Sequence, residues 1–132
     1  MKAILILSVL LTSYSYASKP AKPKLKPGQY AVFMNETYRV VESVTKDQLV
    51  ISKNCGSSCL AINALKKKEA LPRAPHSAMQ NPAAQYCKAV GGTNLIAINS
   101  NGAEENLCTF SDNSFVNSWD LFYKRFPKSN LR

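Results

Sequence analysis

The first half of the chain alternates short hydrophobic runs with polar breaks, which is typical of an antiparallel sheet. The runs fall at residues 30–33, 38–41 and 49–51 and are rich in Tyr, Val and Ile. The dipeptides Asn35-Glu36 and Lys46-Asp47 separate them and are compatible with turns. The pattern therefore predicts three short strands within a small β-rich segment, residues 28–70. Since so small a sheet is marginal alone, it must pack on something else.

The segment that follows the third run is harder to interpret. Residues 60–65 are apolar apart from Asn63 and lead into three lysines, Lys66, Lys67 and Lys68. They are compatible with a further strand or with a short helix that ends in a basic turn. We expect a strand at residues 59–63.

The second half of the chain begins with clear signals for a helix. Asn81 is a strong N-cap, Pro82 suits the first helical position, and Gly91 favours a left-handed stop. These signals predict a helix at residues 82–90. Its apolar face consists of four residues at helical spacing: Ala83, Tyr86, Cys87 and Val90.

A hairpin and a second helix are expected next. Residues 95–98 and 106–110 have strand character, and Asn101-Gly102 is a preferred dipeptide of tight hairpin turns. After the polar turn 111–114, aromatic residues recur with helical period and predict a helix that Pro127 ends. The stripe consists of Phe115, Trp119, Phe122 and Phe126, which we assign to the core. A ligand-stacking role for Trp119 is the alternative.

Together these elements predict an α+β fold. A small antiparallel β meander would be followed by a compact helix-hairpin-helix (αββα) unit, closed by a disulfide, at residues 81–126. Residues 71–80, which contain Pro72, Pro75 and the sole histidine, His76, are expected to form a linker. The pattern leaves open whether residues 28–70 and 81–126 share one core.

The chain begins with a pattern typical of a secretory signal. Lys2 precedes an apolar run at residues 3–11, and Ser15-Tyr16-Ala17 is a small-x-small cleavage site, so residues 1–17 are expected to be removed. The run is too short to span a bilayer, and no later segment could span one. Residues 18–27, rich in Lys and Pro, should then form a flexible arm. We expect a periplasmic or secreted protein.

Export changes the interpretation of the four cysteines, because an oxidising compartment favours disulfides. Cys87 and Cys108 both belong to the predicted αββα unit, so we expect them to form a buried bridge. Cys55 and Cys59 are close enough for a local bridge, with an exposed, exchangeable bond as the alternative. The spacings of the four cysteines are poorly suited to a zinc site. No metal or cofactor is expected.

The charge adds a candidate binding property. Seventeen Lys and Arg residues against eight Asp and Glu give a formal net charge of +9, and one unit is lost with Lys2 if the leader is removed. Such an excess attracts polyanions, and the attraction weakens with salt. Basic residues flank the helical segments and also form a basic tail at residues 127–132. The candidate anion-binding residues are Lys66, Lys67, Lys68, Lys124 and Arg125.

Several residues of the second half occur in a recognisable order: Asn81-Pro82, Cys87, Gly91-Gly92, Cys108-Thr109-Phe110, Asp112, Ser114 and Trp119. In this order and spacing, residues 81–126 resemble a family of short exported bacterial domains of unknown function that often carry a haemolysin label. The resemblance implies a compact exported module without a known cofactor. Family members commonly have a second cysteine pair around the tryptophan, and this chain lacks it there.

No enzymatic constellation is recognisable, and we expect no catalytic residues. There is one histidine, no Ser-His-Asp arrangement and no glycine-rich phosphate loop. The residues favour a non-catalytic exported module that binds an anionic envelope polymer, a lipid surface or an envelope protein. A membrane-perturbing protein and a small secreted inhibitor that presents residues 56–58 are the alternatives. A nucleic-acid partner is not expected, because no reading motif is present.

Overall fold

The computed structural model describes residues 18–71 and 81–128, which form six strands, three α-helices and a short 3₁₀ helix at Lys53–Cys55. The predicted signal at 1–17, His76 with all of the predicted linker except Leu71, and residues 129–132 of the tail lie outside the described residues. The elements are β1 (Gln29–Met34), β2 (Thr37–Lys46), β3 (Leu49–Ser52), α1 (Leu60–Lys66), α2 (Pro82–Ala89), β4 (Thr93–Asn99), β5 (Glu104–Thr109), β6 (Phe115–Asn117) and α3 (Ser118–Arg125).

The six strands form one closed antiparallel barrel in the order β1-β2-β3-β6-β5-β4. The predicted fold class, a small meander followed by a separate αββα unit, is therefore wrong. The three strands of the first half and the three of the second half are joined at two seams. Each half exposes an apolar face that only the other half can bury, and local sequence patterns do not show such long-range pairing.

The two seams differ in extent. At the wide seam, β1 pairs with β4 over three residue pairs, with Ala31 opposite Ile98 at the centre. At the narrow seam, β3 pairs with β6 only where Ile51 lies opposite Val116. Tight turns set the register inside the first half, because Asn35 and Glu36 have positive φ angles of 48° and 63° between β1 and β2.

The side chains form two hydrophobic clusters, one on each face of the sheet. The barrel interior contains Tyr30, Val32, Ala97, Leu107 and Phe115, with Val41, Val50 and Leu95 partly buried against them. The second cluster lies between the barrel and the helices and includes Ile51, Ala61, Ala64, Ala83, Tyr86, Val90, Val116, Leu121 and Phe122. Alternation along β3 and β6 sends neighbouring residues to different clusters, as expected for strands covered on both faces.

Helix α2 agrees with the prediction from sequence. Asn81 caps it by accepting from the backbone N–H groups of Ala83, at 2.9 Å, and Ala84, at 3.3 Å. Pro82 occupies its first turn, and Gly91 follows the helix with a φ of +93°. The predicted helical start at Phe115 is wrong, since residues 115–117 form β6. Helix α3 begins one residue later, with Asn117 as its N-cap.

The predicted strand at residues 59–63 is also wrong, because α1 begins at Leu60. Three acceptors satisfy the first backbone N–H groups of this helix: Asp112 for Leu60 at 2.8 Å, Ser114 for Ala61 at 3.0 Å and the Cys59 sulfur for Ile62 at 3.3 Å. Two of these acceptors come from a distant turn. The sequence of residues 59–66 alone therefore could not predict this capping of the helix.

Residues 18–28 contain no helix or strand and lie along the outer faces of β1 and β4. Lys19 and Pro20 line a surface groove of about 430 Å³ together with Phe33 and Ile96. Further along, Leu25 lines a second groove near the β4–β5 turn. Pro20, Pro23 and Leu25 are half-buried.

Both expected disulfides, Cys87–Cys108 and Cys55–Cys59, are present. Cys87 and Cys108 are fully buried and link α2 to β5. Gly92 packs directly against this bridge. A Cβ atom at Gly92 would overlap the Cys108 sulfur and lie 2.9 Å from the Cys87 sulfur and 3.1 Å from the Phe110 ring.

Gly92→Ala should therefore destabilise the oxidised protein by about 1–3 kcal/mol, because the added methyl group overpacks the bridge. Denaturant unfolding of variant and wild type measures the loss. In a Cys87→Ala/Cys108→Ala background the loss should shrink, since the sulfurs that the methyl group meets are gone. An equal loss in both backgrounds, or none in the oxidised protein, would contradict this packing.

Candidate functional site

The basic residues predicted from the sequence lie at the carboxyl ends of two helices. Lys66 ends α1 and is followed by Lys67 and Lys68, while Lys124 and Arg125 end α3. Lys66, Lys67, Lys68 and Lys124 are exposed, and Arg125 is half-buried. We call these five residues the basic cluster.

Three hydrogen bonds bring the ends of the helices together. The Lys67 ammonium donates to the carbonyl of Val90 at 2.9 Å, just after α2, and the Tyr86 hydroxyl donates to the carbonyl of Lys67 at 3.1 Å. The Arg125 Nε donates to the carbonyl of Glu69 at 3.3 Å. Lys67 and Arg125 thus help to join the helices. Within residues 18–71 and 81–128, no hydrogen bond or ion pair involves the ammonium groups of Lys66, Lys68 and Lys124.

The charge of the basic cluster is largely uncompensated. In residues 18–71 and 81–128, the one ion pair joins Lys53 to Glu42 at 3.0 Å, and both side chains are exposed. Glu69 follows the three lysines and contributes through its backbone carbonyl. The cluster can therefore attract an anion without first breaking an ion pair.

An aromatic surface adjoins the basic cluster on α3. The rings of Trp119 and Tyr123 stack at 5.5 Å, and the Lys128 ammonium lies 4.7 Å from the Tyr123 ring centroid. The Arg125 guanidinium lies 4.9 Å from the Phe126 ring centroid. The predicted aromatic stripe divides between two environments, because Phe115 enters the barrel while Phe122 packs among the helices.

A second polar arrangement, which the sequence analysis missed, fills one end of the barrel. The Glu105 carboxylate accepts three hydrogen bonds, from the Tyr30 hydroxyl at 3.0 Å, Asn99 Nδ2 at 2.8 Å and Asn117 Nδ2 at 3.1 Å. No cation pairs with it in the described part of the chain. Glu105 lies two residues before the buried Leu107, so alternation along the strand could have placed it inside the barrel.

Burial and the nearby Glu105 charge both raise the pKa of Tyr30. Its hydroxyl therefore remains protonated and donates to Glu105. Three neutral donors already form hydrogen bonds to the Glu105 carboxylate, so we assign this arrangement a structural role at the end of the barrel.

Asp120 and Asp112 connect the second half of the chain to the first. Asp120 Oδ2 accepts from the Val50 N–H in β3 at 2.8 Å, and burial, followed by the Glu105 charge, raises the pKa of Asp120. Asp112 Oδ2 accepts from the Leu60 N–H at 2.8 Å, and this bond, followed by that to the Ser114 hydroxyl, lowers the pKa of Asp112. Both acids therefore have structural roles across the molecule.

The Cys55–Cys59 bridge is largely covered by the surrounding residues. Cys55 is buried and Cys59 half-buried in their bridge. Within residues 18–71 and 81–128, no group of three His, Cys, Asp or Glu side chains is placed to hold a metal ion. No helix in these residues is long and apolar enough to cross a bilayer.

Comparison with known families agrees with the coarser part of the resemblance. Residues 78–125 match a family model described as "Domain of unknown function (DUF333)". No curated protein and no solved structure matches the chain. The matched segment supplies α2, β4, β5, β6 and α3, which include half of the barrel strands. It also contains Glu105, Asp112 and Asp120, which accept hydrogen bonds from the other half of the chain.

The two aspartates should affect the pH dependence of stability in opposite directions. Because the folded protein disfavours the charged form of Asp120, its contribution to the free energy of unfolding falls as pH rises from the ordinary aspartate value through its raised pKa. Asp112 has a lowered pKa, so its contribution is lost as pH falls from the ordinary value through that pKa.

Asp120→Asn and Asp112→Asn keep an acceptor oxygen and remove the charge, so they form a matched pair. From about pH 3 to pH 7, the stability of wild type relative to Asp120→Asn should fall, and that relative to Asp112→Asn should rise. Denaturant unfolding at several pH values measures both. Slopes of the same sign would contradict the assigned environments.

Proposed function

We propose that the protein is an exported, non-catalytic module that binds an anionic component of a bacterial envelope through the basic cluster. The observation that carries the proposal is the hydrogen bond from Arg125 to Glu69, which brings the basic end of α3 beside the segment of Lys66, Lys67 and Lys68. No carboxylate among the described residues forms an ion pair with these side chains. Two disulfides support an oxidising compartment. The net charge of +9 favours attraction to polyanions.

The neighbouring aromatic residues suit a surface of anionic lipid. Trp119 and Tyr123 are half-buried and stack beside Lys128. Aromatic rings with polar edges are favoured at membrane interfaces, and lysines add electrostatic attraction. The probe that matches this chemistry is a vesicle that contains phosphatidylglycerol.

The proposal does not extend to lysis. A lytic helix needs an exposed apolar face, whereas Leu121 and Phe122 of α3 are buried against α2. Vesicles should therefore retain an entrapped dye while they bind the protein, and release of the dye would favour the membrane-perturbing alternative instead.

Lys66→Gln/Lys68→Gln/Lys124→Gln should weaken binding to phosphatidylglycerol vesicles by about 100-fold, because each lysine near an anionic surface contributes roughly 1 kcal/mol. Co-sedimentation at low ionic strength measures the affinity. In the described part of the chain these three ammonium groups form no ion pair, so folding should be unaffected.

The control, Lys22→Gln/Lys24→Gln/Lys46→Gln, removes the same charge outside the basic cluster. Its affinity should remain within about threefold of wild type, and wild-type binding should fall steeply between about 50 and 500 mM salt. Equal losses in both triple variants would show that net charge alone acts. Binding that does not respond to salt would contradict an anionic ligand.

A further inference from the structure

Strand β2 has an edge that its neighbours leave open. All of its first six residues, 37–42, pair with β1, but β3 pairs only with residues 43–46. Among the described residues, no strand pairs with the other edge of residues 37–42. The barrel wall is therefore incomplete beside the first half of β2.

The register shows which backbone groups point to the open edge. The Ser43 N–H donates to the Gly28 carbonyl at 2.7 Å, so the odd-numbered residues of β2 direct their backbone groups to β1. In an antiparallel ladder the direction alternates along the strand. The N–H and C=O groups of Tyr38, Val40 and Glu42 consequently face away from β1.

A cavity of about 330 Å³ lies along this edge. Residues 39–42 of β2 line it together with Lys53, Asn54 and Asn113. Four consecutive residues of β2 contribute, as expected where a backbone edge forms the wall. An adjoining cavity of about 110 Å³ continues towards the barrel interior, where Val32, Val41 and Phe115 line it.

The charge at the open edge indicates the partner's chemistry. The Arg39 guanidinium contacts Asn113 Oδ1 at 3.5 Å, and no carboxylate of the described residues pairs with it. Lys53 also lines the cavity and adds a second cation, which Glu42 partly neutralises. A carboxylate supplied by the partner would give Arg39 the stronger acceptor that it lacks here.

We propose that an extended, acidic peptide segment of a partner protein binds here by adding a strand to the open edge of β2. The backbone groups of Tyr38, Val40 and Glu42 pair with the peptide backbone, and Arg39 binds a carboxylate of the peptide. The adjoining apolar cavity accepts an aliphatic side chain two residues further along the peptide, because Arg39 and Val41 lie on the same face of β2. This site uses a surface different from the basic cluster and goes beyond the proposed function.

The probe is the blocked peptide acetyl-Asp-Thr-Val-Thr-Asp-amide, whose aspartates and valine share one face of an extended strand, titrated into the ¹⁵N-labelled oxidised protein. The amide signals of Tyr38, Val40 and Glu42 should shift together with those of Asn54 and Asn113. Replacing both aspartates of the peptide by asparagine should weaken binding about tenfold, since the charge-assisted contact to Arg39 is lost. In the Arg39→Gln protein, where Lys53 is the remaining cation of the cavity, the affinities of the two peptides should differ by less than about threefold.

Val40→Pro tests the backbone pairing directly. Proline removes only an N–H that faces the open edge, and edge strands tolerate proline at such positions. Affinity for the probe should fall about tenfold or more, whereas Val40→Thr, which keeps the N–H, should stay within about threefold of wild type. If Val40→Pro does not fold, N-methylation of the peptide backbone tests the same hydrogen bonds from the other side, with the same expected loss.

Four outcomes would overturn the proposal: no shifts at millimolar peptide, shifts confined to the basic cluster, undiminished binding to Val40→Pro, or undiminished binding of the N-methylated peptide. Light scattering of the free protein can give a fifth outcome that would overturn the proposal. A wild-type dimer that Val40→Pro dissociates would assign the edge to a second copy of the chain. The triple variant of the basic cluster should bind the probe like wild type, which separates this site from the proposed function.

Discussion

Closure of the barrel between its two halves is the constraint on which the rest of the structure depends. The wide seam is formed by backbone pairing, with β1 against β4. Inside, Tyr30 of the first half meets Phe115 of the second edge to face, with ring centroids 6.4 Å apart. Neither half could bury these side chains alone, so the barrel interior exists only when both seams form.

The narrow seam depends on side chains to a greater degree. Only one pair of residues joins β3 to β6, but side chains of the described residues accept backbone hydrogen bonds between the two halves at several points. Asp120 accepts from Val50, the Ser52 hydroxyl accepts from the Phe115 N–H at 3.0 Å, and Asp112 caps α1. Asp112 and Asp120, which lie within the DUF333 match, thus accept hydrogen bonds from a segment outside it.

The sequence predicted the local elements well where local physics determines them. The three strands of the first half, the cap of α2 by Asn81 and the β4–β5 hairpin follow from turn and capping residues close in sequence. The predictions failed where groups that are distant in sequence determine the local structure. Helix α1 is capped by Asp112 and Ser114, and Phe115 is extended because it pairs with Thr109 in β5. The closed barrel was missed for the same reason.

The candidate sites also divide into a part that local sequence predicts and a part that depends on residues distant in sequence. The basic cluster could be predicted from composition and from the runs of lysine, although the bonds that gather it, such as that from Arg125 to Glu69, could not. The open edge of β2 beside Arg39 depends on where β3 ends relative to β2, which no local pattern specifies.

Hydrogen exchange of the oxidised protein in increasing denaturant tests the shared barrel most directly. Backbone amides of residues 30–32 and 97–99 should lose protection together with those of Leu107 and Cys108, at one denaturant concentration. Loss of protection in residues 29–52 while residues 93–117 stay protected would contradict a single barrel.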